Sequence, residues 1–172
     1  MCKLVSLVLE NNIPNEKYKF FLEKFAMEFK KILNVDLQNQ LAVTEFCIKP
    51  TKRTCDCNSG LGSKLMTGEA EKFDDNYFIN LGVSKEYLDE LKQEISIDEN
   101  NQKKDTDRWL LFIKEFLENF KLNKVGVLLH YYSGDMGTEK IKIHEKLYVN
   151  LNEITTETLS NLQYDKIYYF TS

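Results

Sequence analysis

The residue types best suited to chemistry fall together in Glu45–Ser63, EFCIKPTKRTCDCNSGLGS, which holds Cys47, Cys55, Cys57, Gly60 and Gly62. Lys49, Lys52 and Arg53 lie in the same stretch, and Lys64 follows it. An apolar run, LAVTEFCI, ends at Pro50 and hands over to this polar, glycine-containing segment. A strand that feeds such a loop is a common way to present reactive or binding groups.

Three chemistries suit these residues. Cys47, Cys55 and Cys57 could supply thiolates to one metal ion, with His130 or His144 as a fourth ligand, and zinc fits a soft tetrahedral set of that kind. The single short Cys-x-Cys pair has no second knuckle beside it, as structural zinc sites usually do. Alternatively, Cys55 and Cys57 could be redox or nucleophilic thiols, because nearby cations stabilise thiolate and lower its pKa. That chemistry also needs a base within reach, which sequence alone does not place. Thirdly, the backbone around Gly60 and Gly62 could form an anion-binding nest, with Arg53 and Lys64 adding charge for a phosphate or carboxylate. Against all three stands a plain structural use: Cys47 as a small core residue, Cys55 and Cys57 turning the loop, and the glycines making turns. The candidate binding set is thus Arg53, Cys55, Cys57, Gly60, Gly62 and Lys64, and the candidate metal set is Cys47, Cys55, Cys57 and His130.

Met1-Cys2 resembles the start of class II glutamine amidotransferases, in which loss of the initiator methionine leaves a nucleophilic cysteine whose own amine serves as base. The resemblance covers these two residues only. The small residues that follow in that family, and its later His-Thr-Arg and Gly-Asn motifs, are absent.

Composition narrows the function classes. The chain has 172 residues, long enough for a substantial core and suited to a single domain over 1–172. Eleven Phe and nine Tyr against seven Gly and two Pro describe a packed globular protein rather than a disordered one. The formal charge of −4 disfavours general nucleic-acid binding, which rewards clustered Lys and Arg. No segment approaches the roughly 20 apolar residues of a membrane helix, and MCKLVSLVLENN lacks the pattern of a secretory signal, so a soluble cytoplasmic protein is expected. In a reducing compartment the four cysteines are read as free thiols, ligands or redox partners, not as a disulfide framework. No dinucleotide-type glycine turn and no GxxxxGK[ST] occurs.

The elements that would position the loop follow from periodicity. Lys3–Leu9 suits a buried strand. Tyr18, Phe21, Leu22, Phe25, Phe29, Ile32 and Leu33 recur at helical spacing and predict an amphipathic helix over about 15–33. Residues 41–48 read as a second strand, and a long polar loop follows near 49–73. Tyr77–Leu81 reads as a short strand. Ser84 is a helix cap ahead of Leu88, Leu91 and Ile95, and the polar stretch near 96–106 reads as a solvated loop. Asp105 or Thr106 would cap a second helix carrying Trp109, Leu110, Phe112, Ile113, Phe116, Leu117 and Phe120. KVGVLLHYY, 124–132, is the best strand in the chain, and SGDMGT reads as a turn, with Gly134 or Gly137 at positive φ, leading into a C-terminal hairpin. A short helix near 155–162 and a strand over 166–170 end the list.

The pattern predicts an α+β (mixed α/β) fold: a single layer of mixed sheet, about four to five strands, covered by amphipathic helices. The functional reading is a binding or protein-interaction domain whose working surface is loop 49–68, with a protein or a small anionic ligand as partner. The alternative is a small thiol- or metal-dependent protein built on Cys55 and Cys57. No cofactor is specified by the residues beyond the zinc that the cysteines would suit.

Overall fold

The computed structural model describes residues 2–66, 79, 80 and 82–172. Its strands are β1 (Cys2–Glu10), β2 (Lys30–Lys31), β3 (Glu45–Lys49), β4 (Lys124–Tyr132), β5 (Glu145–Asn150) and β6 (Lys166–Thr171). Its helices are α1 (Asn15–Lys24), α2 (Val35–Gln38), α3 (Ser63–Met66), α4 (Lys85–Phe120) and α5 (Thr156–Ser160). The strands form a six-stranded mixed sheet in the order β2-β3-β1-β4-β6-β5, so the α+β class holds, with more strands than the sequence pattern predicts.

The sheet is a two-faced wall because its strands alternate. Val5, Leu7 and Leu9 of β1, with Val125, Val127 and Leu129 of β4, enter one apolar cluster, whereas Val8 and Leu128 enter another. The first cluster lies under α1, α4 and α5. Tyr18 and Phe21 of α1 meet Phe116 of α4 at ring-centroid separations of 5.6 and 5.5 Å. Each such side chain contributes about 1.5–3 kcal/mol through burial, and each ring pair about 0.5–1.5 kcal/mol more. The second cluster is smaller. It is covered by Leu37 of α2 and by Ile32, Leu41, Ile141 and Ile143 from irregular segments. The sheet is therefore sandwiched between helices and a layer of loops, not covered on one side alone.

Three expectations are corrected. The first helix stops at Lys24 rather than continuing to residue 33, because Ala26 adopts a left-handed φ of 55°. The amides of Ala26 and Met27 turn back to the carbonyls of Glu23 and Leu22, which closes the helix end. Phe25 and Phe29 still pack on the core, but Leu33 is exposed.

The stretch 96–106 is not a loop. It lies within α4, which runs unbroken from the Ser84 cap, whose hydroxyl accepts the Tyr87 N–H at 3.2 Å. The cap-forming types Asp105 and Thr106 are therefore mid-helix, and the Thr106 hydroxyl donates to the carbonyl of Gln102 one turn back. Of the strand expected at Tyr77–Leu81, Ile79 and Asn80 are helical and the other residues lie outside those described.

There is no C-terminal hairpin. β4 pairs antiparallel with β6, and β5 lies outside β6 and runs parallel to it, joined through α5. A parallel pair needs such a crossover, whereas a tight turn can only join antiparallel neighbours. The segment 133–144 instead crosses the second face of the sheet. The Asn34 side chain donates to the carbonyls of Met136 and Glu139, and Gln40 both donates to Ile141 and accepts from Ile143. Neither Gly134 nor Gly137 has a positive φ.

Candidate functional site

Antiparallel pairing of β1 with β3 determines where the cysteine loop goes. Glu10 lies opposite Glu45 and Leu7 opposite Ile48, so the chain leaving β3 travels alongside the first residues of β1. There the loop docks through polar groups. Asp56 donates its N–H to the Lys3 carbonyl at 2.9 Å and accepts the Val5 N–H on its carboxylate at 2.9 Å. One buried aspartate thus completes the β1 edge where β3 has ended, which accounts for an acidic residue between two cysteines.

Lys3 holds the loop further along. It is fully buried, and its ammonium donates to the carbonyls of Ser59 at 2.8 Å and Leu61 at 2.9 Å. Burial lowers its pKa to about 8, and the charges of Asp56 and Asp105 oppose that shift. From α4, the Asp105 carboxylate accepts from the Ser59 hydroxyl at 2.8 Å and the Gly60 N–H at 3.0 Å. Tyr132, opposite Cys2 on β4, donates its hydroxyl to the Thr54 carbonyl at 2.5 Å. The connection is ordered by this set of directional bonds, together with one apolar anchor, Leu61, fully buried in the first core cluster.

The glycines serve the same docking. A Cβ on Gly60 would lie 2.0 Å from the Thr106 hydroxyl and 2.2 Å from the Gln102 carbonyl, so only glycine lets the loop approach α4 this closely. Gly62 has a φ of +64°, and its N–H donates to the Leu159 carbonyl. With Gly60 N–H on Asp105 and Gly62 N–H on Leu159, both glycine amides of the anion-nest reading already have acceptors in the protein. Lys64 points elsewhere, forming an exposed ion pair with Glu157 at 2.7 Å.

Beside the docked loop is a cleft of about 670 Å³ whose floor includes Met27 and Trp109. Lys52 and Arg53 line it from the loop, and Lys104 and Arg108 from α4. Its described carboxylates are Asp56, Asp98 and Asp105. Asp56 is engaged by Val5, while Asp105 binds the loop with one oxygen and Arg108 with the other at 2.7 Å. With Lys52, Arg53, Lys104 and Arg108 against Asp56, Asp98 and Asp105, the described lining carries one more cation than carboxylate.

The cysteines divide into two groups. Cys55 and Cys57 are joined as a disulfide, a pairing that the redox-partner reading allows, and the Cys2 sulfur belongs with them: the three Sγ atoms all lie within 4.8 Å of one another. All three residues are half-buried. The Lys3 N–H donates to Cys57 Sγ at 3.5 Å, and the Cys57 N–H to Cys55 Sγ at 3.3 Å. Cys47 is on β3 in the second apolar cluster, opposite Val8. Burial, with the charge of Glu45, pushes its thiol up to about 12, so it stays protonated. His130 is on β4 opposite Leu4, with Nδ1 2.5 Å from the Asp165 carboxylate and Nε2 buried without a partner among the described residues.

The structure thus brings Cys55 and Cys57 together and adds Cys2, while Cys47 and His130 occupy other places. Among the described residues this trio is the only cluster of His, Cys, Asp or Glu ligand atoms with metal-binding spacing. Sequence reasoning missed Cys2 in this role, and also Lys3, Asp56 and Asp105. The signal that finds Cys2 is topological: once β1 and β3 are taken as antiparallel neighbours, the loop after Lys49 must pass the first residues of β1. None of the described helices is long and apolar enough to cross a membrane. No protein-family model, curated protein or solved structure matches the chain.

Proposed function

We propose that this chain is a binding domain whose ligand seat is the cleft between loop 51–59 and α4, taking a small anionic ligand that carries phosphate or carboxylate groups. The observation that carries the reading is that Lys52, Arg53 and Lys104 converge on one cleft from two elements, where the described lining holds four cations against three carboxylates. The volume falls within the range of about 300–1,000 Å³ typical of small-ligand sites. Arg53 supplies the planar, multi-donor head that suits phosphate and carboxylate oxygens, and the lysines supply point charges around it. The thiols take no part in this binding.

A titration of ¹⁵N-labelled full-length protein with inorganic pyrophosphate tests the reading. Amide shifts should saturate, concentrate in residues 51–59 and 98–108, and weaken as salt is raised. The double variant Arg53→Glu, Lys104→Glu should lose them while retaining the wild-type fold by circular dichroism. Shifts that do not saturate, or that scatter over the surface and survive the double substitution, would reject the cleft as the seat.

A further inference from the structure

From the three sulfur atoms we infer that Cys2, Cys55 and Cys57 form a thiol–disulfide exchange site, in which Cys2 is the internal thiol that opens and resolves bonds made at the Cys55–Cys57 pair. The substrate class is a dithiol or disulfide on another polypeptide, or a low-molecular-weight thiol. The inference does not rest on anion binding in the cleft: none of the three cysteines lines it, although Asp56 belongs to both.

Its basis is a disulfide with a third sulfur held within 4.8 Å of both of its members. Neither side of this contact is left to chance. Cys2 is fixed on the central strand of the sheet by its pairing opposite Tyr132. The disulfide is fixed by Asp56, whose main chain bonds Lys3 and whose side chain bonds Val5. The Lys3 N–H also donates to Cys57 Sγ, which favours negative charge on that sulfur when the bond opens. All three cysteines are half-buried, so an external thiol can reach them, in contrast to Cys47.

The internal step conserves electrons. The Cys2 thiolate attacks one sulfur of the disulfide, an S–S bond forms to Cys2 as the Cys55–Cys57 bond breaks, and the displaced sulfur leaves with the electron pair as a thiolate that water can protonate. In the external half-reaction, one thiolate of a dithiol substrate attacks the pair and forms a mixed disulfide. The second substrate thiolate then displaces the domain. The substrate is oxidised to its disulfide, two electrons pass to Cys55 and Cys57, and its two protons go to the released thiolates or to solvent. Where the substrate carries one thiol, the Cys2 thiolate attacks the mixed disulfide at the domain sulfur, an S–S bond forms to Cys2 as the mixed bond breaks, and the substrate leaves as its thiolate. Asp56 is a positioning residue, since it touches no reacting sulfur and sets the distance across which Cys2 must act.

The test uses the full chain equilibrated in glutathione redox buffers, quenched by alkylation and mapped by peptide mass spectrometry. Wild-type protein should show Cys55–Cys57 as the main pairing and Cys2 linked to either as a minor one. Cys57→Ser should drive Cys2 into a bond with Cys55, and Cys55→Ser into a bond with Cys57. Cys2→Ala should retain the Cys55–Cys57 bond and accumulate glutathione mixed disulfide that wild type resolves. Cys47→Ser controls for loss of a thiol, and circular dichroism controls for folding. Asp56→Asn, which keeps the length of the side chain, should slow resolution without changing which pairings are found. A Cys2 that stays free in both serine variants would overturn the inference. So would stoichiometric zinc in the purified wild-type protein that disappears in Cys2→Ala, since three thiolates bound to a soft cation form a metal site rather than an exchange site.

Discussion

The two halves of α4 are one continuous helix held in two different ways. From Trp109 to Phe120 it presents an apolar stripe, with Trp109, Phe112, Ile113 and Phe116 fully buried against α1 and the sheet. From Lys85 to Arg108 most of its described side chains are exposed, and its recorded hydrogen bonds to the cysteine loop run through Asp105. Burial is cumulative and tolerant of small shifts, whereas a few directional bonds fix a register and fail together. The wall of the cleft belongs to the second kind of attachment, so its geometry is set by Asp105 and Gly60 more than by the core.

Substitutions can separate the two attachments. Phe116→Ala should cost about 3–5 kcal/mol in denaturant unfolding, through lost burial and the cavity left among Tyr18, Phe21 and Phe112. A loss under about 1 kcal/mol would place Phe116 outside the core. Gly60→Ala attacks the polar attachment. The new methyl would collide with α4, so a loss of about 1–3 kcal/mol is expected, with a displaced loop. Gly134→Ala, where a Cβ meets nothing within 4 Å, is the matched control and should stay within about 0.5 kcal/mol of wild type.

The polar attachment also carries a pH signature that the apolar half lacks. Lys3 has a folded pKa of about 8, below its ordinary value of 10.5, so between these values the unfolded chain holds the extra proton. Stability from this group therefore rises as pH increases through that window. Subtracting the stability of Lys3→Met from that of wild type should give a curve that climbs from about pH 8 and flattens above 10.5. A flat difference would mean that the buried ammonium is not penalised. Apart from the Gly134→Ala control, the smallest effect is expected at the far end of the helix. Ser84→Ala should cost about 1 kcal/mol or less and speed amide exchange at residues 85–88, leaving the cleft shifts with pyrophosphate unchanged.

Where residue type and environment agree, the elements were legible from sequence. KVGVLLHYY is β4 with the bounds its β-branched and aromatic content predicts, and the run after Cys2 is β1. Legibility failed where a residue was used against its type. The first helix ends at a left-handed residue, Ala26, where glycine is the usual signal. Phe25 and Phe29 kept the helical spacing alive on paper because they reach the same core from an irregular path. In the opposite sense, Asp105 and Thr106 look like a helix start, but the first is taken up by the neighbouring loop and the second by its own preceding turn. At the candidate site, Arg53, Cys55 and Cys57 could be picked out by type. Cys2, Lys3 and Asp105 could not, because they reach the loop only through strand pairing and helix docking.

The central position of β1 has a consequence for how the protein is made. Its partners in β4 are remote in sequence: Val8 pairs with Gly126, and Cys2 with Tyr132. During synthesis the segment Lys3–Leu9, buried throughout in the finished fold, must wait until the residues of β4 have left the ribosome before that edge is satisfied. Such non-local pairing slows folding, and an unpaired apolar strand can meanwhile associate with other chains. The early arrival of β3, which can pair with the other edge of β1 after far less synthesis, gives the nascent strand a first shelter.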